Sequence, residues 1–209
     1  CNTVMLMPDQ QGKLDIYDTK SLQKALQAES PDEVALVLAA AEFGQELLIR
    51  RDPTETVVKG LGRTVDGKMT SSSNGPEFKF TVLATNEFDS TRKRMSVLVR
   101  KPGSAPILYC KGADTSMLPY CRDGPSTEKC LGHIEEFALT GLRTLVMSKK
   151  VLTEAAADKW LASYKAASNN IGHRKEMLYD CALEIEKDME LLGAVGIEDE
   201  LQDGVSNAI

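Results

Sequence analysis

Polar and apolar positions along this chain change period twice, dividing it into a helical opening, a block of strands and a mixed second half. The first stretch, with Pro8, Gly12 and scattered Asp and Gln, predicts a lead-in segment and then a short polar helix near Ser21 to Ala28. Ser30-Pro31-Asp32-Glu33 carries the marks of a helix start. Ser takes the N-cap, Pro the first helical position, and the acidic groups meet the positive end of the helix dipole, with Glu three residues after Ser as in a capping box. Val34, Leu36, Val37, Leu38, Ala40 and Ala41 make the helix apolar almost all round, which predicts burial. From Glu55 to Leu108 the period falls to two, through Val57 and Val58, Phe78, Phe80 and Val82, then Met95, Val97 and Val99, then Ile107 and Tyr109. Asp66-Gly67, Asn74-Gly75-Pro76 and Pro102-Gly103 punctuate these runs, so antiparallel strands joined by tight turns are expected.

After Gly124-Pro125-Ser126 the helical period returns, with Ile134, Phe137, Ala138, Gly141, Leu142 and Leu145 on one face. A short strand over Thr144 to Val151, a helix capped by Thr153, a longer helix through Ile171, Leu178, Cys181 and Ile185, and a last strand at Leu191 to Val195 complete the pattern. Strands grouped together with helices on either side predict an α+β fold, an antiparallel sheet flanked by helices, over a single domain of 209 residues. There is no internal repeat, and the Ser run in Thr70 to Asn74 reads as a mobile loop. The longest apolar stretches, Val34 to Ala41 and Leu191 to Val195, fall far short of the ~20 residues that cross a bilayer, and no signal-peptide pattern opens the chain. A soluble object is expected.

Composition narrows the choice of partners. With 42% hydrophobic and 27% charged residues the chain is globular in make-up, and 25 Lys and Arg against 31 Asp and Glu give a net charge of −6. That balance argues against a general grip on nucleic acid or an anionic bilayer. Five cysteines, Cys1, Cys110, Cys121, Cys130 and Cys181, are odd in number and irregular in spacing, which favours a reducing compartment over a disulfide framework. The start at Cys1-Asn2-Thr3 and the stop at Ala208-Ile209 suggest a piece cut from a longer protein.

Several motifs are weaker than they look. Gly62, Gly67 and Lys68 fit half of a phosphate loop, but Met69 stands where Ser or Thr should hold magnesium, and Asp66-Gly67 is better explained as a hairpin turn. Cys121, Cys130 and His133 lack the C-x-x-C spacing and second ligand pair of a zinc site. His133 and His173 form no defensible dyad, and a Gly-x-Ser-x-Gly elbow is absent, so neither a catalytic nor a metal residue is assigned.

Two segments carry more. Glu87-Phe88-Asp89-Ser90-Thr91-Arg92-Lys93-Arg94-Met95-Ser96-Val97 brings an aromatic to a strand end, then a polar turn, then three consecutive cations. An aromatic face beside Lys and Arg suits a nucleotide, the base stacking while cations meet phosphate oxygens. Taken bare, the residues fit a plainer account better: Phe88 in the core and the cations as a solvated hairpin tip. Tyr109-Cys110-Lys111-Gly112-Ala113-Asp114 ends a strand at a Lys-Gly turn, where glycine lets the chain bend or a ligand approach, and Lys111 can swing over a pocket.

Taken in order, these two segments together with Ser30-Pro31-Asp32-Glu33, Gly141-Leu142-Arg143-Thr144-Leu145 and Ile197-Glu198-Asp199-Glu200-Leu201-Gln202-Asp203 resemble the nucleotide-binding domain of P-type ATPases. Their forms are more similar to the phospholipid-transporting branch, the lipid flippases, than to the cation pumps, which remain the alternative. The likeness covers essentially the whole chain and reverses the preference for the plainer account. It implies ATP as ligand, with Phe88 as the ring under adenine, Glu33 near the adenine amino group, and Lys111 near base and phosphates. Arg143 would reach the phosphates, with Ser90 and Lys93 as lesser contacts.

The resemblance also implies what lies elsewhere. The family's phosphorylated aspartate sits in an Asp-Lys-Thr-Gly motif that this chain does not contain, so it should bind ATP without hydrolysing it. Its partners would be the phosphorylation, actuator and transmembrane domains of one polypeptide, an accessory subunit, and Mg2+ in the full-length enzyme, with no nucleic acid. This would be a cytoplasmic domain of an integral membrane protein. Segments 1–7 and 196–209 would be the hinge strands, their ends close together, and Ser206-Asn207 stands where the family commonly has Pro-Glu. A non-enzymatic interaction module using the Arg92-Lys93-Arg94 tip is the reading from another class.

Overall fold

A computed structural model describes residues 5–6, 26–28, 30–42, 45–52, 54–60, 62–63, 69–70, 77–124 and 127–198. The chain runs β1 (Met5–Leu6), β2 (Leu26–Gln27), α1 (Pro31–Glu42), β3 (Gln45–Asp52), β4 (Glu55–Gly60), β5 (Gly62–Arg63) and β6 (Met69–Thr70). It continues through β7 (Glu77–Asp89), β8 (Arg94–Arg100), β9 (Ile107–Ala113), α2 (Asp114–Met117), a 3₁₀ turn, β10 (Cys121–Arg122), α3 (Thr127–Leu139), β11 (Arg143–Val151), α4 (Glu154–Ser168), α5 (Arg174–Ile185) and β12 (Met189–Ile197). Among the described residues eight strands share one sheet, in the order β10-β12-β11-β9-β8-β7-β4-β3. The α+β class is as expected.

Antiparallel pairing holds for β3 with β4, β4 with β7, and β11 with β12. The two-residue edge strand β10 departs from it, running parallel to β12 with Cys121 opposite Met189. The long stretch of chain between them supplies the crossover that a parallel pair needs.

The fold has two compact units. Described residues within Cys1–Thr85, Val97–Leu108 and Val151–Lys165 make the first, and those within Asn86–Ser96, Tyr109–Lys150 and Ala166–Ile209 the second. In the first, Ser30 caps α1 by accepting the N–H of Asp32 at 3.2 Å, as its position predicts. Glu33 and Val37, one turn apart, are buried while Val34, Leu36 and Leu38 are half-buried, so α1 buries a stripe and not its whole circumference. Thr153 caps α4, its Oγ1 accepting the N–H of Ala156 at 3.2 Å. That helix then buries Ala157 and Trp160, sets the Trp160 and Tyr164 rings 5.1 Å apart, and ties the Tyr164 hydroxyl to the Thr85 carbonyl at 2.7 Å. Val57, Ala84, Val97, Leu98, Val99 and Leu108 supply the buried strand positions.

In the second unit α3 stops sooner than its apolar face suggests. Gly141 N–H donates to the Ala138 carbonyl and Leu142 N–H to the Phe137 carbonyl, each at 3.0 Å, a Schellman closure that glycine permits at φ +78°. Gly141 and Leu142 thus terminate the helix. Leu142 and Phe137 instead meet over Gly196 of β12, where an added Cβ would lie 2.7 Å from Leu142 Cδ1.

Other expectations need correction. Leu26–Gln27, assigned by its polarity to a short helix, is a strand paired antiparallel with Met5–Leu6, whose backbone supplies the partner. The later helix begins at Arg174 and not at Ile171, because Asn170 accepts the His173 N–H at 2.9 Å in a preceding turn that leaves Ile171 fully exposed. The turns at Asp66-Gly67 and Asn74-Gly75-Pro76 and the Ser-rich loop after Thr70 lie outside the described residues. So does most of the two hinge segments, although Gly196 and Ile197 still belong to β12.

Candidate functional site

The turn between β7 and β8 is written into Asp89. Its Oδ1 accepts the N–H groups of Thr91 and Arg92, each at 2.9 Å, and its carbonyl accepts the Lys93 N–H at 2.6 Å. The Arg92 N–H, against burial and with the Thr91 N–H and nearby positive charges assisting, holds the Asp89 carboxyl below its ordinary 3.8. Lys93 closes the turn in the left-handed region at φ +50°. At the near end stands Phe88, 64% exposed, so the core position expected of it on residues alone is overturned. Ser90, Thr91 and Lys93 are exposed too.

The solvated tip of three cations is also a misreading. Arg92 and Arg94 are buried, because Glu186, just past the end of α5 and fully buried, meets both. Arg92 Nη1 donates to the two Glu186 oxygens at 2.7 Å, Arg94 Nε to Oε2 at 2.7 Å, and Ser96 Oγ to Oε1 at 2.7 Å. Asn86 Nδ2 donates to Ser96 Oγ at 2.9 Å, and Arg94 lies 4.1 Å over the Tyr120 ring. Burial works to lower the Arg94 guanidinium, but the Glu186 carboxylate more than offsets it, and the net shift is upward. Only Lys93 of the three cations remains at the surface.

Lys111 is buried within β9 and is no swinging arm. Gly112 makes no turn: β9 continues through it, and an added Cβ would lie 2.4 Å from Arg94 Cβ and 2.6 Å from the Lys93 carbonyl oxygen. Ala113 N–H donates to that carbonyl at 3.0 Å. The glycine is there because β8 begins against it. Asp114 accepts the Thr115 N–H at 2.6 Å through Oδ1 and the Thr144 hydroxyl at 3.1 Å through Oδ2. That second bond brings exposed Arg143, the first residue of β11, to the same end of the second unit.

Of the predicted site residues, Phe88, Ser90, Lys93, Lys111 and Arg143 therefore lie on neighbouring segments of one unit. Glu33 is buried on α1 in the other unit. Sequence reasoning placed Asp89, Asp114 and Thr144 inside its motifs without a binding role, and missed Glu186 altogether. A signal for Glu186 existed: Arg94 and Ser96 share one face of a strand whose every residue from Arg94 to Val99 is buried, and a buried guanidinium requires a counter-charge. Nothing in the sequence said where that counter-charge lay.

Chemically, the arrangement offers an exposed aromatic face at the end of a turn that also exposes one cation, Lys93, which suits a flat anionic ligand. His133 is exposed beside Phe137, and among the described residues no group of three or more His, Cys, Asp and Glu is placed to hold a metal.

The family profile described as P-type ATPase, cytoplasmic domain N, matches residues 1–204. A phospholipid-transporting ATPase of Schizosaccharomyces pombe is 38% identical over 194 residues, covering 92% of this chain and 14% of that protein. Phospholipid-transporting ATPase DRS2 of Saccharomyces cerevisiae is 38% identical over 185 residues, 88% of this chain and 13% of its own length. Phospholipid-transporting ATPase IC of Mus musculus is 42% identical over 184 residues, 88% and 14%. The chain thus spans only about a seventh of these relatives.

Proposed function

Because this chain belongs to the family of P-type ATPase cytoplasmic N domains, we infer that it captures ATP for a phospholipid-translocating pump. Residues 1–209 act on this reading as one nucleotide-binding domain. The observation that carries it is the Phe88 ring, held 64% exposed beside a turn that also exposes Lys93. An exposed ring beside a cation offers a flat base a face to stack on. Adenine stacks on that face, Lys93 and Arg143 meet phosphate oxygens, Ser90 adds a hydroxyl, and Lys111 stands behind as fixed positive charge. The named relatives supply the lipid class.

In the intact enzyme the bound nucleotide would present its terminal phosphate to an aspartate on a phosphorylation domain, Mg2+ accompanying the ATP, with actuator, transmembrane and accessory parts completing the pump. The N domain would then face the cytoplasm. Its own contribution is binding and alignment. The rival interaction module loses its main feature, since Arg92 and Arg94 are committed to Glu186.

ATP titrated into the chain by calorimetry should bind weakly, in the high-micromolar to millimolar range, or about −4 to −6 kcal/mol. Phe88→Ala should abolish that binding while leaving the unfolding midpoint nearly unchanged, because the ring is exposed. Folded wild-type chain that takes up no ATP would overturn the assignment.

A further inference from the structure

Glu186 touches the candidate site only through other residues, yet it fixes several of them. Arg92, oriented by both carboxylate oxygens through Nη1, uses Nη2 to donate to the Glu87 carbonyl at 2.7 Å. Its backbone N–H is bound by Asp89. Arg92 therefore pins the chain on both flanks of Phe88, its guanidinium at Glu87 and its backbone N–H at Asp89. Arg94, held by the same carboxylate, donates from Nη1 to the Ser116 carbonyl at 3.0 Å and sets the start of β8 against Gly112, next to Lys111. A single side chain, 94 positions from Arg92 and 92 from Arg94, thus orients the segments that carry Phe88, Lys93 and Lys111.

We propose that Glu186 is a positioning residue for the nucleotide face: it sets the two guanidiniums whose remaining donors hold the Phe88 strand end and the start of β8 in binding geometry. The proposal rests on the ATP-binding reading and names how that site is preorganised. Two guanidiniums against one carboxylate also leave one net positive charge within the cluster, so electrostatics and orientation must be separated by the choice of variant.

Glu186→Gln removes the counter-charge at nearly constant volume. Arg92→Lys keeps the charge but cannot bridge Glu186 and the Glu87 carbonyl together. ATP is titrated into wild-type and both variants, each checked for fold by circular dichroism, and backbone amide NMR spectra are recorded without nucleotide. Each variant is expected to bind ATP about tenfold more weakly, the loss of one charge-assisted bond. The amides of Glu87 to Lys93 should shift or broaden while those of α4 stay in place, a signature that general loosening would not give. If Glu186→Gln does not fold, Arg92→Lys decides. Folded variants with wild-type affinity overturn the proposal, and so does unfolding of both, which would make the cluster purely structural. Wild-type chain that fails to bind ATP removes the nucleotide reading first, and this role with it.

Discussion

Four thiols, those of Cys110, Cys121, Cys130 and Cys181, are held protonated because burial penalises the thiolate; at Cys121 a Ser148 hydroxyl opposes that push without reversing it. With Cys1 replaced by Ser, a disulfide reagent at pH 8 should therefore label the native chain slowly and all four thiols promptly in denaturant; fast native labelling would contradict the burial. Asp89 titrates in the other direction. Its lowered value contributes stability that is present above the ordinary 3.8 and lost as pH falls through the folded value. Thermal midpoints of wild-type and Asp89→Asn should hence differ near neutrality and converge in acid below pH 3.8. What could be read of these residues from sequence was type and order. Phe88 and its neighbours were legible as a motif, whereas the burial of Arg92 and Arg94 was not, because the carboxylate that permits it lies more than ninety positions away.

Caps and stops mark how elements were read. Ser30 and Thr153 announced α1 and α4 because an N-cap is a local device, complete within a few residues. The end of α3 was missed because Leu142, which continues the helical face in sequence, is spent on the Schellman contact with Phe137 instead. Leu26–Gln27 and β10 are short strands made by their partners, with no periodicity of their own to read. Glycines give sharper tests. Gly141→Ala should cost about 1 kcal/mol for its left-handed φ, with open space around it. Gly112→Ala should cost more, about 1–3 kcal/mol or greater, since its new methyl would meet the backbone at Lys93 and Arg94 and push β8 from β9. Chemical denaturation of both variants measures the difference, and equal costs would argue against the close approach.

At the scale of the whole molecule, a net charge of −6 and the withdrawal of Arg92 and Arg94 from the surface leave little to hold a polyanion. The chain should pass unretained through a heparin column at physiological salt, and retention there would revive the interaction-module reading. The α+β class was legible from the grouping of strands, while the division of contacts into two units that share β7, β8 and β9 was not, because it cuts across continuous strands. The Arg92, Arg94 and Glu186 cluster also constrains how this molecule can change over generations. Losing one member strands buried charge, a loss on the order of 3–5 kcal/mol, whereas replacing a whole buried cluster by well-packed apolar residues can be neutral. Most single-step routes away from it therefore pass through a less stable though still folded intermediate, so three codons spread across nearly half the chain should be inherited as one unit, fixed together or exchanged together.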